Sequence, residues 1–222
     1  RRDIISGLGG RDTIKGLGGN DIICGFNGAD TIIGGSGADV LSGDGGNDSV
    51  SGGAGDFDNL WGFSGNDALN GGSGFDWVLY RGAPGPVTLD LTAGSATGEG
   101  TDTLSGIEGV VSSRFDDVLT GNDANNTFQA EDGNDTIDGG ADNDTIYGEA
   151  GNDKIEGGLG DDKIYGGDGA DSISAGDGNV PVDGGQGADI IRGGAGNDSI
   201  AGGNDYDTIW GDDGDDTING DS

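Results

Sequence analysis

The residues Gly34-Gly35-Ser36-Gly37-Ala38-Asp39-Val40-Leu41-Ser42 contain the pattern that decides the fold of this chain. A glycine-rich stretch leads to an aspartate, and an aliphatic residue stands two positions after it. A second well-formed copy is Gly193-Gly194-Ala195-Gly196-Asn197-Asp198-Ser199-Ile200-Ala201. Glycine tolerates the positive φ angles of a tight turn, whereas β-branched residues favour extended backbone. Each copy therefore predicts a tight turn followed by a strand of about three residues.

The aspartate recurs every nine residues in two long runs. One extra residue before Asp58 interrupts the first run, and we expect a bulge there. In the second run, Asn126 and Val180 stand where the aspartate is expected. The aspartates of the two runs are Asp3, Asp12, Asp21, Asp30, Asp39, Asp48, Asp58, Asp67, Asp76, Asp117, Asp135, Asp144, Asp153, Asp162, Asp171, Asp189, Asp198, Asp207 and Asp216. The aliphatic residue two positions after each aspartate is the predicted inward-facing residue of a strand.

One repeat cannot bury its aliphatic side chain alone, so the chain must wind and stack to form a continuous core. We predict an all-β fold, a right-handed parallel β-roll (a β-helix or solenoid). Two repeats make one circuit of this roll, and the loops hold bound metal ions. Residues eighteen positions apart then lie above one another, so that Asp3, Asp21 and Asp39 form one column and Asp12 begins another.

The predicted loops offer only oxygen ligands to a metal ion. The chain has no His and one Cys, whereas zinc and copper prefer nitrogen or sulfur. Calcium takes six to eight oxygen ligands, while magnesium demands a compact octahedron and holds its water. We predict on the order of ten Ca²⁺ ions, bound by the aspartates of both runs and by loop carbonyls. Examples of these carbonyl donors are Gly34, Gly35, Gly37, Gly157, Gly158, Gly160, Gly193, Gly194 and Gly196. Sites near Asn126, Val180 and the insertion are expected to be weak.

These copies resemble the RTX, or hemolysin-type, calcium-binding nonapeptide repeat. The resemblance to secreted toxins, serralysin-type proteases and epimerases implies an extracellular, secreted bacterial protein. It further implies that the repeats fold on extracellular Ca²⁺ and thereby support type I secretion and the stability of the parent protein. The expected partners are calcium and a type I secretion channel.

The interruption of the period divides the chain into three parts. We expect a first repeat block at 1–78, a non-repeat β linking segment at 79–116 that continues the stack, and a second repeat block at 117–222. The linking segment resembles the segments that join repeat blocks in RTX proteins. The chain opens within the pattern at Arg1-Arg2-Asp3, so we expect it to be part of a larger polypeptide. No apolar run approaches the length of a transmembrane segment, and no signal peptide is visible.

The charge of the chain limits the classes of partner that it can bind. Lys and Arg number 9 against 42 Asp and Glu, and the formal net charge is −33. Such a chain repels phosphate, so we expect no nucleic-acid partner. Without calcium, the ranks of carboxylates repel one another and the chain is predicted to be disordered.

Two other functions are weighed against calcium-dependent folding. The repeat aspartates are better explained as calcium ligands than as catalytic acids, so we expect no enzyme activity. The main alternative is a calcium-stiffened adhesion or carbohydrate-binding module. Tyr147 and Tyr165 are eighteen positions apart and should stack on one face, either as a platform for a sugar or as a structural ladder. Trp61, Trp77 and Trp210 also lie near strand positions.

Overall fold

A computed structural model describes residues 1–55 and 57–220. The chain divides into two compact units, Arg1–Val111 and Ser112–Ser222. The described residues form strands and no helix, so none of them forms a helix that could cross a membrane. Most neighbouring strands are parallel. The predicted all-β parallel β-roll is therefore confirmed.

The first unit contains two sheets that receive strands in alternation. One circuit of the chain adds one strand to each sheet, and we call such a circuit a coil. Sheet 1A has the order β1-β3-β5-β7-β9-β13, and sheet 1B has the order β2-β4-β6-β8-β12-β11-β10. The strands of this unit are β1 (Ile4–Ser6), β2 (Thr13–Gly18), β3 (Ile22–Cys24), β4 (Thr31–Ser36), β5 (Val40–Ser42), β6 (Ser49–Ala54), β7 (Asn59–Trp61), β8 (Ala68–Ser73), β9 (Trp77–Leu79), β10 (Thr88–Asp90), β11 (Ser95–Thr97), β12 (Thr101–Ser105) and β13 (Gly109–Val111).

The last strands of the first unit depart from the simple winding. Strands β10, β11 and β12 are joined as antiparallel neighbours. Strand β12 then pairs in parallel with β8, and β13 pairs in parallel with β9. Strands β12 and β13 thus join the two sheets of this unit, although their residues do not follow the nonapeptide period.

The second unit contains two sheets whose described strands pair only in parallel. Sheet 2A has the order β15-β17-β19-β21-β23-β25, and sheet 2B has the order β14-β16-β18-β20-β22-β24. The strands are β14 (Val118–Thr120), β15 (Thr127–Gln129), β16 (Thr136–Ala141), β17 (Thr145–Ala150), β18 (Lys154–Leu159), β19 (Lys163–Asp168), β20 (Ser172–Asp177), β21 (Pro181–Gln186), β22 (Ile190–Ala195), β23 (Ser199–Asn204), β24 (Thr208–Asp213) and β25 (Thr217–Asn219).

Much of the core of each unit is formed by the apolar residues two positions after each repeat aspartate or after the Asn126 or Val180 that replaces it. Their neighbours along the strand face outward, as the period of two in a β-strand requires. Ile5 and Ile209 are half-buried, and Ile218, on the last described strand of sheet 2A, is 48% exposed. The buried residues of this set are Ile14, Ile23, Ile32, Leu41, Val50, Leu60, Leu69, Val78, Leu119, Phe128, Ile137, Ile146, Ile155, Ile164, Ile173, Val182, Ile191 and Ile200.

Many strands are longer than the three residues that the sequence predicts. Strands β2, β4, β6 and β8 of sheet 1B and most strands of the second unit are six residues long, because they continue into the next glycine-rich loop. Gly35, for example, pairs with Gly53 in the next coil. Gly35 has a φ of 119°, and a Cβ at this position would meet the main chain of Leu17. Glycine there permits both the backbone conformation and the close approach of neighbouring coils.

The extra residue before Asp58 lies in a loop. Strand β5 pairs with β7, and β6 with β8, in unbroken register on both sides of the insertion. The NH of Asp39 still donates to Oδ1 of Asp58 at 2.7 Å. The bulge that we expected before Asp58 therefore does not disturb the pairing of these strands. Asp56, within the stretch where we expected the bulge, lies outside the described residues.

Candidate metal sites

The repeat aspartates form columns joined by hydrogen bonds. The main-chain NH of Asp21 donates to Oδ1 of Asp39 at 2.7 Å, and the NH of Asp153 donates to Oδ1 of Asp171 at 2.8 Å. Residues eighteen positions apart thus lie in adjacent coils, as the period predicts. In the first unit, one column runs through Asp3, Asp21, Asp39, Asp58 and Asp76, and the other through Asp12, Asp30, Asp48 and Asp67. In the second unit, one column runs through Asp117, Asp135, Asp153, Asp171, Asp189 and Asp207. In the other, hydrogen bonds join Asn126, Asp144 and Asp162, and then Val180, Asp198 and Asp216, while only the strand register continues the column from Asp162 to Val180.

The second carboxylate oxygen of most of these aspartates is buried without a hydrogen-bond partner among the described residues. Buried carboxylate oxygens normally have a donor or a cation beside them, because an unpaired charge in the interior is costly. The repetition of the same unpaired atom in coil after coil indicates a common ligand. The residues with this unpaired Oδ2 are Asp12, Asp21, Asp30, Asp39, Asp48, Asp58, Asp67, Asp135, Asp144, Asp153, Asp162, Asp171, Asp189, Asp198 and Asp207.

A glycine lies beside each of these oxygens except that of Asp135, where Ala130 stands at the equivalent position. A Cβ on Gly25 would lie 2.6 Å from Oδ2 of Asp30 and 2.9 Å from the carbonyl oxygen of Gly43 in the next coil. In the second unit, a Cβ on Gly166 would lie 2.5 Å from Oδ2 of Asp171 and would also meet the carbonyl oxygen of Gly184. A carboxylate oxygen and a main-chain oxygen therefore border the same small space.

Several carbonyls that the sequence predicts as ligands border such spaces. The carbonyl oxygen of Gly34 lies 2.6 Å from the Cβ position of Gly16, and that of Gly157 lies beside the Cβ position of Gly139. The carbonyl oxygen of Gly37 lies beside the Cβ position of Gly55, where the nearest atoms all belong to the main chain of Gly37 and none to a carboxylate. These oxygens come from two adjacent coils, so a ligand placed among them would join the coils.

Burial raises the pKa of many of the stacked carboxyls. It raises the pKa of Asp135 to about 8, opposed by the NH of Asp117 and assisted by the charge of Asp153. Burial likewise raises the pKa of Asp153 to about 7, opposed by the NH of Asp135 and assisted by Asp171. The folded repeats therefore stabilise these carboxylate charges poorly with their own groups and favour a proton or a cation on them.

The donor set fits calcium. The described residues contain no group of three or more His, Cys, Asp and Glu side chains that could hold a metal ion. Main-chain carbonyls would therefore have to supply many of the ligands, with one or two carboxylates at each site. Calcium accepts such mixed oxygen ligands in flexible geometry, whereas zinc and copper favour nitrogen or sulfur.

The two departures from the repeat have clear structural effects. Asn126 is buried, its Oδ1 accepts the NH of Asn122 at 2.9 Å, and its Nδ2 has no hydrogen-bond partner among the described residues. Val180 is completely buried, and its NH donates to Oδ1 of Asp198 at 3.0 Å. Both positions stay in the register of the column, but Asn126 offers no charge, and Val180 offers no side-chain oxygen to accept the NH of Asp162.

Asp117 differs from the other buried aspartates of its column. Its two carboxylate oxygens accept hydrogen bonds from Ser113, through the NH at 2.8 Å and the hydroxyl at 2.8 and 3.0 Å. Ser113 thus gives this carboxylate protein partners that the unpaired Oδ2 atoms lack. In the first unit, Asp3, the first aspartate of its column, is exposed.

Two acidic residues of the linking segment complete the columns of the first unit, and the sequence analysis missed them. Oδ1 of Asp102 accepts the NH of Asp67 at 2.9 Å, and Oε2 of Glu108 accepts the NH of Asp76 at 2.9 Å. A local signal for Asp102 was present, because Leu104 follows it by two positions and Gly100 precedes it by two. The irregular spacing of this segment obscured that signal.

Asp102 also has a partner for its second oxygen. The hydroxyl of Tyr80 donates to Oδ2 of Asp102 at 2.8 Å, and both residues are buried. Burial and the nearby Asp102 raise the pKa of Tyr80, so the hydroxyl keeps its proton. Burial, followed by Asp102 and Asp67, raises the pKa of Glu99 to about 7. At Asp102, the oxygen that is unpaired in most other column aspartates therefore has a hydrogen bond from Tyr80.

Sequence comparison agrees with the geometry of the repeats. The profile of the RTX calcium-binding nonapeptide repeat (4 copies) matches residues 1–25, 25–56, 57–78, 112–146, 120–155, 147–180, 182–209 and 196–222. A comparison with curated proteins finds no match. The matched residues include every column aspartate that the period identifies and extend over most of both units. The chain therefore belongs to the RTX calcium-binding nonapeptide repeat family.

Proposed function

We propose that this chain is the calcium-binding region of a secreted bacterial protein and that it folds when it meets extracellular calcium. The observation that carries the proposal is the row of buried, unpaired Oδ2 atoms at equivalent positions of adjacent coils, as in Asp30, Asp48, Asp153 and Asp171. We propose the repeat aspartates as the ligands, with loop carbonyls such as those of Gly34, Gly157 and Gly193 and their neighbours within the same loops.

The folding requirement follows from the chain's own charges. Winding brings carboxylates of one sign into columns and removes them from water, and burial is the largest cause of the raised pKa of Asp144 and Asp189. At neutral pH, the unfolded chain keeps these groups ionised and hydrated, so the wound state is disfavoured unless their charge is compensated. Calcium bound between coils supplies the positive charge that compensates these carboxylates. We propose on the order of ten bound ions along the columns.

Stacking makes the folding cooperative along the chain. Each coil offers NH donors to the next coil and carboxylate acceptors to the preceding one, and each core residue such as Ile164 is covered only when neighbouring coils are present. We therefore expect a sharp dependence of folding on calcium concentration. We also propose the three-part organisation of the chain, with two repeat blocks at 1–78 and 117–222 and a linking segment at 79–116.

The export function rests on the same switch. An unfolded, strongly acidic chain suits passage through a type I secretion channel, and millimolar extracellular calcium is the range in which weak extracellular modules are occupied. Folding outside the cell would then stabilise the parent protein. We assign no catalytic role to the column carboxylates, because Oδ1 of each central aspartate is engaged by a main-chain NH and the residue is buried.

The test is far-UV circular dichroism during a calcium titration, with magnesium at equal ionic strength as the control. We expect a coil-like spectrum in chelator and a sharp transition to β-structure with calcium but not with magnesium. A chain that is fully folded in excess chelator would contradict calcium-triggered folding. Retention of calcium by that folded chain, measured by equilibrium dialysis, would then support a constitutive calcium-stiffened rod.

A further inference from the structure

One outward row of sheet 2A changes abruptly from aromatic to small side chains. The register places Tyr147 beside Tyr165, Tyr165 beside Asp183, and Asp183 beside Ala201 in successive coils. The rings of Tyr147 and Tyr165 are stacked, with centroids 4.9 Å apart and planes inclined by 5°. The aromatic stack thus ends at Tyr165, and the next position in the row carries a short acidic side chain.

The end of this stack borders a groove. The groove has a volume of about 330 Å³ and is lined by Tyr165, Pro181, Asp183, Ser199, Thr217 and Asn219, among others. Tyr165 is 41% exposed although one neighbour in its row is the stacked Tyr147. Since no aromatic side chain follows in the row, the groove is the place where a flat ligand could continue the stack at the spacing of one coil.

The lining combines an apolar platform with hydrogen-bonding groups. Tyr165 and Pro181 provide flat apolar surface, while the carboxylate of Asp183 accepts hydrogen bonds and the hydroxyls of Ser199 and Thr217 both donate and accept. A pyranose ring has the matching chemistry, because its C–H face packs on an aromatic ring and its equatorial hydroxyls reach polar groups at its edge. Binding sites for small ligands commonly combine apolar walls with a few polar groups in this way.

The charge of the chain selects among sugars. With a formal net charge of −33 and Asp183 in the groove, an acidic sugar would be repelled, so the ligand should be uncharged. A quaternary ammonium group would contact the aromatic ring and the carboxylate, but it carries no hydrogen-bond donor or acceptor for the hydroxyls of Ser199 and Thr217. The full set of lining groups therefore favours a neutral sugar.

We propose that this groove binds a neutral pyranose unit of a glycan, stacked on Tyr165 and hydrogen-bonded to Asp183. The site lies on the outer surface of sheet 2A and uses none of the column aspartates. It requires folded repeats but does not depend on whether calcium triggers their folding or export.

Saturation-transfer NMR on the full chain in saturating calcium tests the proposal. The probes are the methyl glycosides of glucose, galactose and mannose, with methyl glucuronide and choline as charged comparisons. We expect transfer to the ring C–H protons of at least one neutral glycoside, with affinity lowered about tenfold or more by Tyr165→Ala and retained by Tyr165→Phe. Tyr206→Ala is the matched control, because Tyr206 is 95% exposed and does not line the groove.

Each outcome decides the proposal. Circular dichroism in calcium first establishes that every variant is folded, which separates a loss of the sugar site from a failure of the repeats to fold. Saturation transfer to no neutral glycoside, transfer unaffected by Tyr165→Ala, or a preference for methyl glucuronide or choline would each overturn the proposal. A neutral glycoside that loses transfer in Tyr165→Ala and keeps it in Tyr206→Ala would establish it.

Discussion

The hydroxyl of Tyr80 donates a hydrogen bond to Oδ2 of Asp102 at 2.8 Å, and Asp102 accepts the NH of Asp67 with its other oxygen at 2.9 Å. In the column that includes Asp48 and Asp67, the same carboxylate oxygen has no hydrogen-bond partner among the described residues. A neutral donor from the protein thus occupies, at Asp102, the position that we assign to a cation elsewhere. This difference separates the part of the column to which we assign calcium from a part that the chain completes with its own groups.

Replacing Tyr80 with Phe removes this donor and leaves Oδ2 of buried Asp102 unpaired. We expect the free energy of unfolding in saturating calcium to fall by about 1–3 kcal/mol, the cost of an unsatisfied buried group. Tyr206→Phe is the control, because Tyr206 is 95% exposed. Urea denaturation of the two variants measures the difference. Equal stability of Tyr80→Phe and Tyr206→Phe would show that the hydrogen bond to Asp102 contributes nothing.

Replacing Asp153 with Asn keeps a carbonyl oxygen that can accept the NH of Asp135 and removes the charge that we assign to a calcium ligand. We expect the calcium concentration at the midpoint of folding to rise about threefold or more, because ligand charge controls calcium affinity. Asp161→Asn makes the same change in net charge at an exposed loop position whose Oδ1 accepts the NH of Asn179 at 2.7 Å. Calcium titration followed by circular dichroism compares them. A shift of equal size in both variants would point to net charge alone.

Replacing Val180 with Asp restores the carboxylate that its column lacks. In calcium, we expect the midpoint of folding to fall by a factor of about two or more, because an added site binds the folded state alone. Ser172→Asp adds a charge at an exposed position of β20 and controls for net charge. An unchanged or higher calcium midpoint for Val180→Asp would contradict our assignment of the column.

The pH dependence of folding should have opposite signs with and without calcium. Burial raises the folded-state pKa of Asp135 to about 8 and of Asp153 to about 7, from an ordinary value of 3.8. The calcium-free folded state therefore binds more protons than the unfolded chain. The stability that these protons contribute is fully present below pH about 4 and is lost as the pH rises through about 7 to 8.

In excess chelator, the β-structure signal should therefore increase as the pH is lowered from about 8 to about 4. With calcium present, lowering the pH over the same range should raise the calcium concentration needed for folding, because protons compete for the carboxylates. Circular dichroism at fixed ionic strength measures both trends. If β-structure in chelator grew as the pH rose, the carboxylates could not be the groups that oppose folding.

The period of the sequence predicts most of the architecture because each repeat contains its own turn, strand and acceptor. The spacing of Asp21 and Asp39 alone places them in adjacent coils, where the hydrogen bond between them is found. The inward position of Ile164 follows from the same local rule. Repeat proteins are favourable for such predictions, since each unit contacts mainly its sequence neighbours.

The linking segment was harder to predict because its contacts join residues at irregular separations. Asp67 is bonded to Asp102 across 35 positions and Asp76 to Glu108 across 32, so no fixed period identifies these partners. Ser113 satisfies Asp117 through a local contact that the repeat pattern does not contain. The six-residue strands were also missed, because glycine has a low intrinsic preference for strands and only the stacking of coils draws Gly35 into one.

The column hydrogen bonds give each repeat unit a direction. The donor NH always belongs to the earlier coil and the acceptor oxygen to the later one, as in Asp135 and Asp153. A shortened array would therefore expose unlike groups at its two ends, bare amide protons at one and bare carboxylates at the other. Asp102 and Glu108 supply acceptors at the end of the first unit, and Ser113 supplies donors at the start of the second. Grafted onto consensus arrays, these residues would serve as ready-made end caps of opposite polarity.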